Sequence, residues 1–123
     1  MKIAVSATGN TMESRMDQRF GRAARFIVVE TETMDFKAVD NAAAASSGGA
    51  GISAAQMVAD TGVEAVVTGN VGPNAMNVLK AANIAIYRGS AATVKENVEL
   101  FKQGELDKIS MSGPSHAGMG GKA

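Results

Sequence analysis

The chain has 123 residues, enough for one compact domain, and a hydrophobic fraction of 46% supplies material for a single core. Twelve basic residues balance twelve acidic ones, so there is no basic excess of the kind that draws a protein to nucleic acid or to an anionic membrane surface. Cysteine is absent, which excludes disulfides, thiolate nucleophiles, Cys-type zinc sites and covalently ligated iron–sulfur clusters.

Met1-Lys2 leads directly into a short apolar pattern without an export signal, and nothing later approaches the length of a membrane span, so a cytoplasmic protein is expected. Residues 2–8 (KIAVSAT) form an apolar run too short for a helix, ended by Gly9-Asn10, and read as a buried strand. A polar loop follows to about Ala24. Residues 25–31 (RFIVVET) and 36–41 (FKAVDN) read as two further strands joined by a hairpin, which makes the first three elements a β-meander.

Residues 42–51 (AAAASSGGAG) lack any side chain large enough for a core and read as a loop. Ile52, Ala55 and Ala59 then repeat at helical spacing until Gly62, predicting a helix over 52–61. Ala65-Val66-Val67 is a short buried strand. After Gly69-Asn70-Val71-Gly72, Pro73 suits the first turn of a second helix with Ala75, Val78, Leu79 and Ala82 on one face. Residues 84–87 form a fifth strand, Gly89-Ser90 turns the chain, and a third helix starting near Ala91 turns Val94, Val98 and Phe101 inward before Gly104. From Glu105 the composition becomes rich in Gly and Ser. The domain is therefore placed at residues 1–108 and a flexible Gly/Ser-rich tail at 109–123.

The order βββαβαβα predicts an α/β fold with a five-stranded mixed sheet, order 3-2-1-4-5, in which strand 2 is antiparallel and helices cover both faces. Such a sheet has a topological switch point beside strand 1, and ligands bind outside the carboxyl ends of the strands there. Four loops meet at that edge, and they agree on one kind of ligand. Ser47, Gly48, Gly49, Gly51, Gly69 and Gly72 let backbone approach a bound group, Asn10, Asn70 and Asn74 add polar side chains, and helices starting near Ile52, Pro73 and Ala91 offer N–H groups at a positive dipole end. Arg15, Arg19 and Arg22 add charge that deprotonation cannot remove, and Phe20-Gly21 between the last two fixes their direction. Residues 1–25 carry Lys2, Arg15, Arg19, Arg22 and Arg25 against only Glu13 and Asp17. An anion site is expected.

Each of these features also has a plain structural explanation, since glycine-rich strand-to-helix turns occur throughout α/β domains; the convergence carries the argument. Met12 and Met16, four apart in the polar loop, are soft thioether donors suited to Cu(I), with surface packing as the ordinary alternative. Arg25 reads as a solvated strand-edge residue and His116 as a solvated imidazole. No Ser-His-Asp order, Walker loop, G-x-G-x-x-G after a strand or acidic metal cluster is present, and Asp17 pairs more naturally with a nearby arginine than with Asp40.

The run Met16-Asp17-Gln18-Arg19-Phe20-Gly21-Arg22-Ala23, then Gly48-Gly49-Ala50-Gly51-Ile52, Gly69-Asn70-Val71-Gly72-Pro73-Asn74-Ala75 and Tyr87-Arg88-Gly89 resembles the dinitrogenase iron–molybdenum cofactor accessory family over roughly residues 1–108. The resemblance implies a ribonuclease H-like three-layer fold without nuclease activity, and a role in carrying or assembling metal–sulfur clusters. It is strongest to small single-domain members that hold a mixed molybdenum–copper sulfide cluster without covalent attachment. Nitrogenase-type members often contact their cluster through a Cys or His of the core domain, and this chain has neither, so an anionic thiometallate is a better cargo than an iron–molybdenum cofactor precursor. The competing expectations are a protein-interaction or regulatory module without metal, such as part of a cell-division or metal-homeostasis complex; an accessory protein for iron–molybdenum cofactor precursors; and an enzyme acting on a phosphorylated small molecule, against which the lack of a general base beside the loops counts. A protein acceptor for the cluster is a further expected partner.

Overall fold

The computed structural model of the chain describes residues 1–45 and 49–109. Its strands are β1 (Lys2–Ala7), β2 (Arg25–Glu30), β3 (Phe36–Asp40), β4 (Ala65–Thr68), β5 (Ala85–Arg88) and β6 (Asp107–Lys108), and its helices are α1 (Ala50–Asp60), α2 (Pro73–Ala81) and α3 (Val94–Lys102). The strands form one mixed sheet in the order β3-β2-β1-β4-β5-β6. β2 runs antiparallel to both β1 and β3, β4 and β5 continue parallel to β1, and β6 is antiparallel to β5.

β1 is central, which explains why KIAVSA is a continuous apolar run instead of an alternating one: both faces of the strand are covered. Ala4, with Phe26, Val28, Val66 and Ile86 of neighbouring strands, faces the layer built by α1 and α2. Ile3, Val5 and Ala7, with Ile27, Val29 and Val67, face Val94 and Val98 of α3. Ile3, Phe26, Ile27, Val66, Val67 and Leu79 are all below 2% exposed, and each such side chain contributes about 1.5–3 kcal/mol relative to an exposed one.

α1 and α2 lie close together because their facing residues are small. A Cβ on Gly51 would sit 3.3 Å from the Cβ of Ala75. α1 and α3 stop at Gly62 (φ +80°) and Gly104 (φ +73°), left-handed positions that glycine occupies without cost from a side chain.

The structure corrects the sequence reading in three places. Among the described residues the sheet has six strands, not five: β6 pairs Tyr87 with Lys108 and Arg88 with Asp107, and the Ile109 amide donates to the Ile86 carbonyl at 2.7 Å. Residues 42–51 are not all loop, since Ala42–Ala45 forms a 3-10 turn and α1 begins at Ala50. α3 starts at Val94 with Thr93 as its N-cap, not near Ala91. Ser47, Gly48, His116 and the remainder of the expected tail lie outside the described residues.

Candidate functional site

The loops that follow β1, β3, β4 and β5 gather at one edge of the sheet, and residues 8–24 bind them together. Asp17 N–H donates to the Ser6 carbonyl at 2.9 Å, Asn70 N–H to Gln18 at 2.7 Å and Phe20 N–H to Asn70 at 3.2 Å, while Met16 N–H donates to Ala92 at 2.9 Å and Val94 N–H to Ser14 at 2.8 Å. Phe20 is the apolar anchor the sequence indicated: it is buried and packs on Phe26, ring centroids 5.1 Å apart. On the other flank the buried Asn41 side chain donates to the carbonyls of Gly21 (3.1 Å) and Ala23 (2.8 Å). The edge is a laced structure, not a set of independent loops.

That lacing explains most of the glycines in a way the sequence reading missed. A Cβ on Gly69 would fall 2.6 Å from the Gln18 carbonyl oxygen, one on Gly21 would fall 2.9 Å from Gly51 Cα, and one on Gly89 would meet Met16, Asn97 and Val67. These positions are small so that one segment of chain can approach another. Gly72 differs, since a Cβ there would meet nothing within 4 Å. Gly49 is also open, and it stands at φ +71°.

The helix N-termini divide the edge in two. α1 begins after Gly49 and α2 after Gly72, with Pro73 in its first turn, and neither has a side-chain cap. Their first-turn N–H groups have no partner within their own helix. α3 is closed by a complete capping box: Thr93 accepts from the Glu96 amide at 3.1 Å, and the Glu96 carboxylate accepts from the Thr93 amide at 3.0 Å. Those hydrogen bonds from Thr93, reinforced by the charge of Arg15, hold the Glu96 carboxyl below its ordinary pKa. Asn97, fully buried, finishes this side by accepting from Ser90 N–H and donating to the Ser90 and Thr93 carbonyls.

The expected site residues separate along the same line. Arg19 is exposed and bridges to Asn70, itself exposed and next to the exposed Gly72 and Asn74 at the start of α2. Arg22 is exposed and donates to the Ala44 carbonyl at 2.9 Å, on the approach to Gly49 and α1. Arg15 faces the other way and donates to Ala91 at 3.1 Å, beside α3. Asn10 is exposed in the first turn of the 8–24 loop. Met12 and Met16 are core residues, at 6% and 5% exposure, packed with Ile3, Val5 and Val94; the loop that looked polar in sequence folds its methionines under itself. Arg25 pairs with Asp40 at 3.1 Å. Asp17 pairs with Arg19, and the two carboxylates are engaged separately. Hydrogen bonding to Asp17, and then its charge, raise the pKa of the Arg19 guanidinium above its ordinary value.

A model of the family described as dinitrogenase iron–molybdenum cofactor matches residues 1–104. The chain belongs to this dinitrogenase iron–molybdenum cofactor family. The orange protein of Desulfovibrio gigas, solved in its apo form, is 41% identical and superposes with a TM-score of 0.85, the overlap covering 89% of this chain and 92% of that one. The Thermotoga protein TM1290, solved by NMR, is 33% identical with a TM-score of 0.78, covering 91% and 98% of the two chains. The Methanocaldococcus jannaschii protein MJ0580 is 33% identical over 112 residues, 89% of this chain and 92% of its own. All four edge loops fall within the part matched to the family, whereas β6 lies beyond it. Among the described residues of this family member no group of three or more His, Asp or Glu side chains is placed to hold a metal ion, and no helix is long and apolar enough to cross a membrane.

Sequence reasoning paired Asp17 with an arginine, as the structure has it, but overlooked the other polar residues that build the edge: Ser6, Asn41, Thr68 and Asn97, all buried. A signal existed for several of them. Ser6 and Thr68 are hydroxyls inside otherwise apolar strands, and Thr93-Val94-Lys95-Glu96 is a capping-box pattern.

Proposed function

We propose that the chain is a binding protein for an anionic metal–sulfur cluster, held without covalent attachment at the α1/α2 half of the edge, and that it carries or helps assemble the cluster instead of catalysing a reaction. The observation that carries this reading is the pairing of two neighbouring helix N-termini without side-chain caps, α1 and α2, with the exposed guanidiniums of Arg19 and Arg22. N–H groups at positive dipole ends and permanent cations suit a multiply charged anion. Gly49, Gly72, Asn70 and Asn74 surround that place. Met12, Met16 and Arg15 belong to the α3 side and are left out of the binding surface.

A thiometallate brings sulfide ligands for its own metals, so a chain without cysteine can hold it by charge, hydrogen bonds and shape. The family resemblance carried by the sequence motifs supports molybdenum–copper sulfide as the cluster, on a ribonuclease H-like scaffold working in the cytoplasm. The family's description supports a second reading, handling of iron–molybdenum cofactor precursors, in which a protein acceptor takes the cargo.

The test is reconstitution of the purified protein with tetrathiomolybdate and a copper salt, followed by desalting, visible absorbance and metal analysis. Wild type is expected to stay coloured and to retain both metals. Charge-assisted hydrogen bonds are worth about 1.5–3 kcal/mol, so Arg19→Glu and Arg22→Glu should each lower retention at least about tenfold. Lys80→Glu, at the far end of α2, should not. Equal retention by wild type and all three variants would remove the electrostatic basis of the site, and loss of molybdenum and copper here with retention of an iron–molybdenum cofactor precursor offered in a parallel reconstitution would favour the second reading.

A further inference from the structure

The Asp17 carboxylate is 7% exposed and faces one partner, Arg19, whose side chain is 67% exposed. One oxygen, Oδ1, accepts from the Arg19 backbone N–H at 2.9 Å and from Nε at 3.2 Å, while Oδ2 accepts from Nη2 at 3.2 Å. This side-on fork occupies two of the five guanidinium N–H groups and leaves both on Nη1 and one on Nη2 for a ligand.

Asp17 is itself held from below. Its amide donates to the Ser6 carbonyl at 2.9 Å and its carbonyl accepts from Ser6 Oγ at 2.6 Å. Ser6 Oγ has spent its only proton on that bond, so in the 2.7 Å contact with Thr68 Oγ1 the threonine is the donor. A buried chain of hydrogen bonds thus runs from β4 through β1 to the Asp17 backbone, and the carboxylate that this backbone carries holds an exposed arginine beside Asn70.

We propose that Asp17 is the positioning residue of the anion site, fixing the Arg19 guanidinium so that its outer N–H groups are presented ready for the ligand. The proposal rests on the cluster-binding reading above. Its physical content is preorganisation: an exposed arginine ordinarily loses side-chain freedom on binding, and here that loss is taken during folding. The ordinary alternative is that Asp17 only makes an Asx turn through its bond to the Arg19 amide.

Asp17→Asn separates the two. An asparagine still accepts the Arg19 backbone N–H and keeps the turn, but its amide nitrogen confronts Nη2 donor to donor and breaks the fork. It also deletes a negative charge beside an anion site, so by Coulomb's law alone it should tighten binding. The sign of the change therefore decides. In the tetrathiomolybdate–copper assay, with thermal melts to check folding, Asp17→Asn is expected to weaken retention about three- to tenfold, the range for one newly mobile side chain. In an Arg19→Gln background the same substitution should cause no further loss, since it acts through Arg19. Arg19→Lys, exposed and therefore compatible with the fold, keeps the charge without the fork and should lose retention by a similar factor; it decides the matter if Asp17→Asn does not fold. Retention by Asp17→Asn equal to or above wild type, or full retention by Arg19→Lys, overturns the proposal and leaves the binding site standing. Failure of wild type to retain any cluster removes both.

Discussion

Two halves of one sheet edge are finished by opposite means. On the α3 side Thr93 and Glu96 close the helix, Asn97 fixes the preceding turn, Arg15 lies against Ala91, and two methionines fill the space beneath. On the α1/α2 side, Gly49 and Gly72 precede helices without side-chain caps, and the neighbouring Arg19, Arg22, Asn70 and Asn74 are exposed. Both halves face the same elementary demand, partners for first-turn N–H groups, and among the described residues only the α3 half meets it with a side-chain cap. The difference supports the proposal that the open half is kept for something outside the chain, since caps of the Thr93 kind stabilise by about 1 kcal/mol and were within reach of substitution.

The largest expected effect on this contrast comes from Gly21, where the 8–24 loop touches the backbone of Gly51. Gly21→Val should push α1 away from the edge, lowering stability by about 1–3 kcal/mol in chemical denaturation and reducing cluster retention together with it. The cause is contact, not backbone conformation, so even Gly21→Ala should show part of both effects.

Asn97→Ala comes next and probes the other half. It removes a fully buried side chain that accepts from the Ser90 amide and donates to the Ser90 and Thr93 carbonyls, and a cost of about 1–3 kcal/mol is expected in the same denaturation experiment. Retention by the folded fraction should be unchanged. A specific loss of binding in this variant would erase the division between the halves.

Thr93→Ala should give the smallest effect, about 1 kcal/mol, without altering retention. Its pH dependence sharpens the assignment. Glu96 has a folded pKa below its unfolded value, so its contribution is present above the unfolded value and is lost as pH falls through the folded one. Denaturation curves of wild type and Thr93→Ala should therefore converge as the solution is acidified through and below the carboxylate range, and a gap that persists undiminished would show that the box adds nothing through Glu96.

These contrasts were partly visible in the sequence. Continuous apolar runs at 2–7 and 65–67, with the proline and glycine punctuation between elements, made the strand order readable because a doubly covered strand needs apolar residues on both faces. β6 was not readable, since Asp107 and Lys108 are charged and become a strand only by docking on β5. At the site the arginines stood out by type, but the glycines were only partly legible: Gly69, read as room for a ligand, and Gly21 and Gly89, read as turns, serve contacts between segments far apart in sequence, which local pattern does not encode. The methionines misled for the same reason, being polar-loop residues by neighbourhood and core residues by topology.

The lacing of the edge also has a temporal consequence. The meander of β1, β2 and β3 is built from neighbouring segments and can form early, whereas Gln18 finds Asn70, Ser6 finds Thr68 and Met16 finds Ala92 only after two crossovers have brought β4 and the turn after β5 alongside. The residues closest to the proposed ligand are thus among the last to reach their places. On the proposed function, a chain emerging from the ribosome that has not yet delivered residues 65–93 has no place to load, and cargo can be held only once the whole sheet stands behind it.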